Sequence, residues 1–186
     1  HSAPMTRTVK FSMSFRERVA LADGTLLELR AIQASDSAAL AEAFSRLSPD
    51  SRRSRFHAAK AVLSDSELRF LTECDGQTHY AIVATCDDAG SGQPTGVGVV
   101  RFIVSDHDPT VAELAVTVGD KWQGRGIGGL LLQRIAAAAA ERHVERLQAV
   151  LLADNKKVKG LIGHYSDTAA CRQEDGLLMV DHHLSS

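Results

Sequence analysis

Four glycines lie within six residues between an apolar strand-like run and a long apolar helix, and this segment constrains the fold more than any other. Val111–Val118 precedes it, residues 122–129 read WQGRGIGG, and an Ala/Leu-rich helix is predicted from Gly126 to His143. A plain strand-to-helix turn needs one or two glycines, because each costs backbone entropy. A helix N-terminus adds unpaired N–H groups and a positive dipole end, so the pattern predicts a phosphate-binding turn. A flexible turn with incidental glycines is the plainer alternative.

Two other phosphate-binding motifs were compared with this loop. Gly124, Gly126 and Gly129 satisfy GxGxxG, the dinucleotide fingerprint, and Asp154 ends the next predicted strand, where a ribose-binding acid would lie. That fold continues through several βαβ units, whereas only Asn155–Ser186 remains after this unit. An NAD-binding domain is therefore a remote alternative. The Walker loop is excluded because no Gly-Lys-Ser/Thr follows.

The chain alternates between strand and helix signals in a way that fits one α/β domain. An antiparallel meander precedes the glycine loop, and a strand–helix–strand unit contains it. Asp-Gly at residues 23–24 predicts a hairpin turn, and Ser35 or Asp36 and then Ser64 or Asp65 are candidate helix caps. The predicted strands are Phe15–Leu21, Thr25–Ile32, Tyr80–Thr85, Gly96–Ser105, Val111–Val118, Leu147–Ala153 and Gly176–His182, with a further helix starting at Asn155 and running to about Gly163.

Composition narrows the class of protein and its partners. With 186 residues, 44% of them hydrophobic, the chain is long enough for one core and short for two. The net charge of -2 shows no basic excess, so no nucleic-acid partner is expected. No apolar run reaches the ~20 residues of a membrane-spanning helix, so no membrane is expected. Residues 1–4 resemble an expression remnant, which leaves a domain of residues 5–186.

The cysteines and histidines give no sign of a metal or disulfide framework. The three cysteines are widely spaced and form no CxxC pair, which favours a reducing, cytoplasmic location. No HExxH or other tight ligand spacing occurs among the histidines, so no metal is expected.

The loop in this context resembles the Q/R-x-x-G-x-G/A signature of the GNAT acetyltransferases. Leu27–Ile32, Asp36–Leu47 and Leu147–Asn155 resemble the first strand, first helix and fifth strand of that family. Leu47–Phe56 is similar to the GNAT domains of bacterial protein-lysine acetyltransferases. The resemblance implies a single GNAT-like α/β (α+β) domain, whose mixed central sheet has an antiparallel N-terminal meander and splayed central parallel strands flanked by helices. It also implies acetyl-CoA-dependent N-acetyl transfer to an amine, either a protein lysine or a small molecule, directly within a ternary complex.

The same resemblance implies the residues that bind acetyl-CoA. The backbone of the loop would hold the pyrophosphate, the end of the central strand would pair with the pantetheine arm, and the Val116 N–H would support the oxyanion if the strands splay. The implied binding residues are Val116, Val118, Gln123, Gly124, Arg125, Gly126, Ile127, Gly128, Gly129 and Asn155.

Glu113 is the candidate general base. A lysine-type amine, with a pKa near 10.4, arrives protonated and must lose a proton before it attacks a thioester. Glu113 lies within the apolar run Val111–Val118, where the family often places its catalytic glutamate, and shares a face with Ala115 and Thr117. The plainer interpretation is that Glu113 points into water from a wet sheet face.

The chain departs from the family pattern near its end. Many relatives carry a tyrosine acid about two turns after the asparagine, where this chain has Ile162, and Tyr165 is out of register. Tyr165-Ser166-Asp167 replaces the familiar Leu-Gly-Phe. These departures keep open a second hypothesis, a catalytically weak acyl-CoA-binding regulatory module. The acceptor, the acyl-chain preference and a homodimer also stay open.

Overall fold

A computed structural model of the protein describes residues 10–45, 63–87, 94–152, 170–174 and 177–183. Within these ranges the strands are β1 Arg16–Ala20, β2 Leu26–Ala31, β3 His79–Asp87, β4 Pro94–Val104, β5 Val111–Val118, β6 Arg146–Leu152, β7 Ala170–Glu174 and β8 Leu177–His183. The α-helices are α1 Ser37–Ser45, α2 Asp65–Thr72 and α3 Ile127–Glu141. Short 3-10 helices, Ala34–Asp36 and Asp120–Trp122, precede α1 and the glycine loop.

The strands form one mixed sheet in the order β1-β2-β3-β4-β5-β6-β8-β7. Strands β1 to β5 each pair antiparallel with the next one. Short turns join β1 to β2 and β4 to β5, whereas α1 and α2 lie in the connection between β2 and β3. Helix α3 is the crossover between β5 and β6, which pair in parallel as such a connection requires. The predicted fold class, a mixed sheet with an N-terminal antiparallel meander and central parallel strands, is confirmed.

One face of the sheet packs against α3 and forms the main core. Its apolar residues recur at helical spacing, so Ile127, Leu131 and Ile135 lie on one side of the helix and are almost fully buried. They join Val100, Phe102 and Leu114 of β4 and β5 in a single cluster. Burying each such side chain contributes roughly 1.5–3 kcal/mol, so this layer holds α3 and its N-terminus against the end of β5.

The opposite face of the sheet is covered more thinly by α1 and α2. Leu63 and Leu71 form a small buried cluster there, with Leu40 and Leu68 packed against it. Arg101 of β4 is buried beneath α2 and donates a hydrogen bond to the Leu71 carbonyl at 2.9 Å. The two faces therefore differ: one is a continuous core, and the other carries buried polar groups.

Two helix boundaries differ from the sequence prediction. The first helical segment is capped by Gln33 rather than Ser35 or Asp36, because the Asp36 carboxylate returns to the Gln33 N–H in a capping box. Helix α3 ends at Glu141 instead of His143, where a positive φ of 63° stops the helix. The Ser64 cap of α2 is confirmed, since its hydroxyl accepts from the Glu67 N–H.

The C-terminal part contains a strand that the sequence did not predict. Ala170–Glu174 has a polar pattern with little β-propensity, yet it pairs along β8 as the last strand of the sheet. Several predictions lie outside the described residues: Asn155, the helix to Gly163, Ile162, Tyr165 and the stretch Leu47–Phe56. Among the described helices, none is long and apolar enough to cross a membrane.

A turn anchored by Asp75 leads from α2 into β3. The Asp75 carboxylate accepts hydrogen bonds from the backbone N–H groups of Gln77, Thr78 and His79 and from the Thr78 hydroxyl. Its partial burial alone would raise its pKa, but these hydrogen bonds outweigh burial and lower the pKa to about 2. The ionised carboxylate therefore fixes the entry of β3.

We expect the protein to lose stability in acid through this turn. Because the pKa of Asp75 falls from 3.8 to about 2 on folding, its contribution is present above 3.8 and is lost as the pH falls toward 2. Denaturant unfolding of wild type and Asp75→Asn across this window checks the sign. Wild type should lose more free energy of unfolding than the variant, and parallel losses would contradict the assignment.

Candidate functional site

The central parallel strands β5 and β6 separate halfway along their length. Their pairing runs from Val111 opposite Arg146 to Leu114 opposite Ala149. Beyond that point β5 continues to Val118 while paired with β4, and β6 continues to Leu152 while paired with β8. Within the described residues, the last half of β5 thus has an edge with no strand beside it.

The alternation of hydrogen bonds between β4 and β5 shows which residues of β5 face this gap. The Ser105 N–H donates to the Val111 carbonyl, and the Gly119 N–H donates to the Val97 carbonyl, both at 2.8 Å. In an antiparallel pair such bonds recur at every second residue, so the odd-numbered residues of β5 face β4. Val116 and Val118 therefore direct their backbone N–H and C=O groups into the gap. This agrees with the role predicted for these residues, a β-strand-like edge for an extended ligand.

The glycine loop follows this edge after the short 3-10 helix Asp120–Trp122. Gly124 has a φ of +80° and Gly126 a φ of +89°, a left-handed conformation that side chains disfavour. An added Cβ at either position would meet no atom within 4 Å, so glycine is needed for the backbone angle and not for space inside the protein. The open volume lies on the outer side of the turn, where a ligand could approach the backbone.

The loop presents a row of free donors at the start of α3. Gly126 is the N-cap of this helix and supplies no side-chain cap. Among the described residues, no acceptor contacts the N–H groups of residues 125–129. The first N–H groups of a helix and its positive dipole end together form an anion site. The start of α3 therefore has the geometry of an anion site, and its role in holding a pyrophosphate stays a prediction.

Side chains around the loop hold its shape. The Gln123 side-chain amide donates to the Val118 carbonyl at 3.2 Å, tying the loop to the end of β5. The Arg125 guanidinium lies 4.8 Å over the Trp122 ring and 4.0 Å from Asp23 in the β1–β2 turn. Sequence reasoning missed the Asp23 contact, because the hairpin reaches the loop only in the folded sheet.

Glu113 lies on the sheet face turned away from α3, in the first half of β5, where β5 still pairs with β6. It is opposite Ile103 of β4 and Gln148 of β6, and its side chain is exposed. At a rise of about 3.3 Å per residue, its Cα is roughly 10 Å from that of Val116 along the strand. Glu113 thus lies on the open side of the sheet, three residues before Val116 along β5.

A cavity of about 480 Å³ lies between the sheet and the α1–α2 layer. Thr117 and Trp122 are on its wall near the loop, and the Arg30–Asp36 ion pair, with a contact of 2.7 Å, lies farther along it. Glu113 is not among the described residues that line this cavity. The candidate base therefore faces open surface and not this enclosed space.

The structure brings together most of the predicted site. Val116 and Val118 of the strand edge are continuous with the loop from Gln123 to Gly129. Asn155 falls outside the described residues, and its predicted role stays a prediction. The β5 edge and the glycine loop together present backbone donors and acceptors. Such a surface suits a ligand with amide groups at one end and phosphates at the other.

The family model that matches this chain and a protein similar to it are both acetyltransferases. The family model described as the acetyltransferase (GNAT) domain matches residues 27–165. A Mycolicibacterium smegmatis protein, acetyltransferase Pat, is 32% identical over 114 residues, which are 61% of this chain and 33% of that protein. The match thus spans about a third of the length of that relative.

Two solved structures share the fold. The crystal structure of the GNAT domain of S. lividans PAT has a TM-score of 0.81 and 26% identity, covering 91% of this chain and 97% of that chain. YncA from Salmonella typhimurium, a structure described with its cofactor acetyl-CoA, has a TM-score of 0.68 and 17% identity over 86% of this chain and 95% of that chain. The second shows likeness of fold alone.

Proposed function

This chain belongs to the GNAT acetyltransferase family, and from that premise we propose that it transfers an acetyl group from acetyl-CoA to an amine, with a protein lysine as the preferred acceptor. The observation that carries the proposal is the divergence of β5 from β6 after Leu114, on the side of β5 that leads to the glycine loop. This divergence leaves a free strand edge that runs into a row of free N–H donors. Few ligands other than an acyl-CoA have chemistry that matches both parts.

The pantetheine arm and the pyrophosphate would bind to successive parts of this run. Pantetheine carries two amides, which pair with the C=O of Val116 and the N–H of Val118 as an added strand would, and the Val116 N–H is left for the thioester oxygen. The pyrophosphate accepts from the N–H groups of residues 124–129 and gains from the dipole of α3. The YncA structure, which has the same fold, is described with acetyl-CoA.

Transfer proceeds as a direct displacement at the thioester carbonyl. Glu113, through a water, takes a proton from the acceptor ammonium, and the freed amine nitrogen attacks the carbonyl carbon. The Val116 N–H donates to the oxygen as negative charge develops there. The C–S bond then breaks with its electron pair leaving on sulfur, and the amine nitrogen loses a second proton to solvent. A thiol with a pKa near 8.5 is acidic enough to leave without a side-chain acid.

The position of Glu113 favours a protein acceptor over a small molecule. A small amine would need an enclosed pocket around the reacting nitrogen, and the cavity of about 480 Å³ is not lined by Glu113. A lysine side chain on another protein can instead approach Glu113 across exposed surface. The alternative of an acyl-CoA-binding regulatory module shares the binding run but makes no use of Glu113, so turnover distinguishes the two.

A thermal-shift titration is the first test. Acetyl-CoA at 100 times its dissociation constant should stabilise the fold by about 2.7 kcal/mol, which is a clear rise in melting temperature. CoA should stabilise as well, because it carries the same pyrophosphate and pantetheine groups. NAD should not, because it lacks the extended pantetheine chain that pairs with the β5 edge.

The stabilisation by NAD and CoA, compared with that by acetyl-CoA, decides how the result is interpreted. Equal stabilisation by NAD and acetyl-CoA would show that the loop binds any pyrophosphate and that the edge of Val116 and Val118 is not used. Stabilisation by none of the three compounds would contradict the proposal. Stabilisation by acetyl-CoA without acetylation of any peptide or amine would favour the regulatory module.

A further inference from the structure

Four residues on neighbouring strands form a row on the sheet face of Glu113, and the register of the strands defines it. His79 lies opposite Ile103, Ile103 opposite Glu113, and Glu113 opposite Gln148, so all four side chains share one face. Neighbouring strands are about 4.8 Å apart, which places His79 and Glu113 about 10 Å from each other. The ring of Phe70, from α2, packs against the His79 ring with centroids 5.0 Å apart and the ring planes tilted by 43°.

Phe70 is unusual because it is a large apolar side chain left in solvent beside this row. It is 56% exposed, although the His79 ring beneath it is buried. Within the described residues, the other large apolar side chain with such exposure is Leu26, at the far end of the sheet. Exposed aromatic rings are enriched at protein interfaces because they offer area at low entropic cost.

The charges at this end of the sheet are mostly negative. Exposed carboxylates surround the row in the turns before β3, β5 and β6: Glu73, Asp75, Asp106, Asp108 and Glu145. Hydrogen bonds from Thr110 lower the pKa of Asp108, as the bonds described above lower that of Asp75, so both stay ionised near neutral pH. The basic residues described around these turns include Arg69, Arg146, Arg142 and Arg101, with two histidines. Arg101 is buried and Arg142 donates to the Gly76 carbonyl, so carboxylates make up most of the exposed charge.

At the opposite end of the same strands, the N–H groups of the loop and the N-terminus of α3 attract anions. Lys121 and Arg125 lie there as well, beside the carboxylates of Asp120 and Asp23. An anionic CoA is therefore attracted to one end of β5 and a cationic acceptor to the other, and both meet at its middle. The phosphates of CoA therefore bind far from the acidic surface that attracts the acceptor.

We propose that Phe70, Ile103 and Glu113 form a docking face for an extended segment of an acceptor protein, whose lysine enters beside Glu113 and whose neighbouring apolar residue packs on Phe70. The segment has basic residues flanking the lysine, which complement the acidic turns. At about 3.3 Å per residue, the span from Glu113 to Phe70 separates the lysine from the apolar residue by roughly three to four residues. This inference rests on the proposed acetyl transfer and names the acceptor class.

Steady-state kinetics with short N-terminally blocked peptides test the docking face. The reference peptide has one lysine, a leucine three or four positions away and arginine flanks; a second has serine in place of leucine, and a third has glutamate flanks. Phe70→Ser should raise the KM for the reference peptide by about five- to tenfold, with kcat and the KM for acetyl-CoA unchanged. It should have no effect on the serine peptide, since the contact is already absent.

Matched variants separate docking from folding and from general charge effects. Leu26→Ser removes the other exposed apolar side chain and should leave every peptide unaffected. Asp106→Asn should raise the KM of the arginine-flanked peptides and reduce its dependence on salt, whereas Asp87→Asn, at the opposite end of β3, should not. The Asp pair involves exposed turn or strand-end residues, so it reports on docking even if Phe70→Ser disturbs α2.

The outcomes distinguish the docking face from the proposed function. Equal effects of Phe70→Ser and Leu26→Ser, or equal rates on arginine-flanked and glutamate-flanked peptides, would overturn the docking face. If acetyl-CoA still stabilised the protein and a simple amine were still acetylated, the proposed function would stand. Absence of acetyl-CoA binding and of transfer to any amine would instead show that the proposed function had failed.

Discussion

Glu113→Gln lowers turnover by about 10²–10⁴-fold if Glu113 is the general base. The amide keeps the size and hydrogen-bonding shape of the side chain but accepts no proton, so the acceptor amine stays protonated. Acetyl-CoA binding should be unchanged, because the binding run lies on the gap edge and in the loop while Glu113 lies on the open face. Turnover with a lysine peptide, measured across pH, and the acetyl-CoA thermal shift together check both parts.

The pH profile separates a lost base from a distorted site. Turnover of the variant should rise toward high pH, where the acceptor is already deprotonated, and approach wild type there. Glu42→Gln on the exposed side of α1 is the matched control and should behave as wild type. Near-normal turnover of Glu113→Gln at every pH would remove Glu113 from the role of base and leave it as a solvated carboxylate.

Much of the sheet could be predicted from residue patterns alone. The alternation in Val111–Val118 placed Glu113 with Ala115 and Thr117, and the register with β4 shows the same faces. The glycine loop was predicted from its composition, since left-handed angles at Gly124 and Gly126 are a property of the local backbone. Local rules work here because hairpins and helix starts are decided by residues near in sequence.

Other features depend on contacts between distant residues. The point where β5 leaves β6, after Leu114, appears only in the pairing of the folded sheet, and no residue pattern in either strand marks it. The contact of Arg125 with Asp23 joins positions about a hundred residues apart, counted from their numbers. Strand β7 has no strong β pattern and takes its conformation from pairing with β8.

The exposed surface around Glu113 also required the folded structure. Phe70 reads as one more apolar residue of an amphipathic helix, and only its position over His79 shows that it stays in solvent. The acidic residues come from turns far apart in the sequence, which the meander gathers at one end of the sheet. Net charge, at -2 for the whole chain, does not show that these carboxylates gather at one end of the sheet.

Gly126→Val should abolish most of the acetyl-CoA affinity. The φ of +89° at Gly126 is a genuine strain for a β-branched residue, costing about 1–3 kcal/mol. The new side chain would also project into the open volume outside the turn, where the phosphates approach the backbone. We expect a moderate fall in melting temperature together with loss of the further rise that acetyl-CoA gives to wild type.

Gly24→Val distinguishes these two causes. Gly24 lies in the β1–β2 turn with a φ of +90°, and an added Cβ there also meets no atom within 4 Å. The substitution therefore imposes a similar backbone strain away from the N–H groups of residues 125–129. If both variants melt earlier but only Gly126→Val loses acetyl-CoA stabilisation, backbone approach to the phosphates is what the glycine at 126 permits. Unchanged affinity in Gly126→Val would refute the assignment of the loop, because no phosphate could then be held against that backbone.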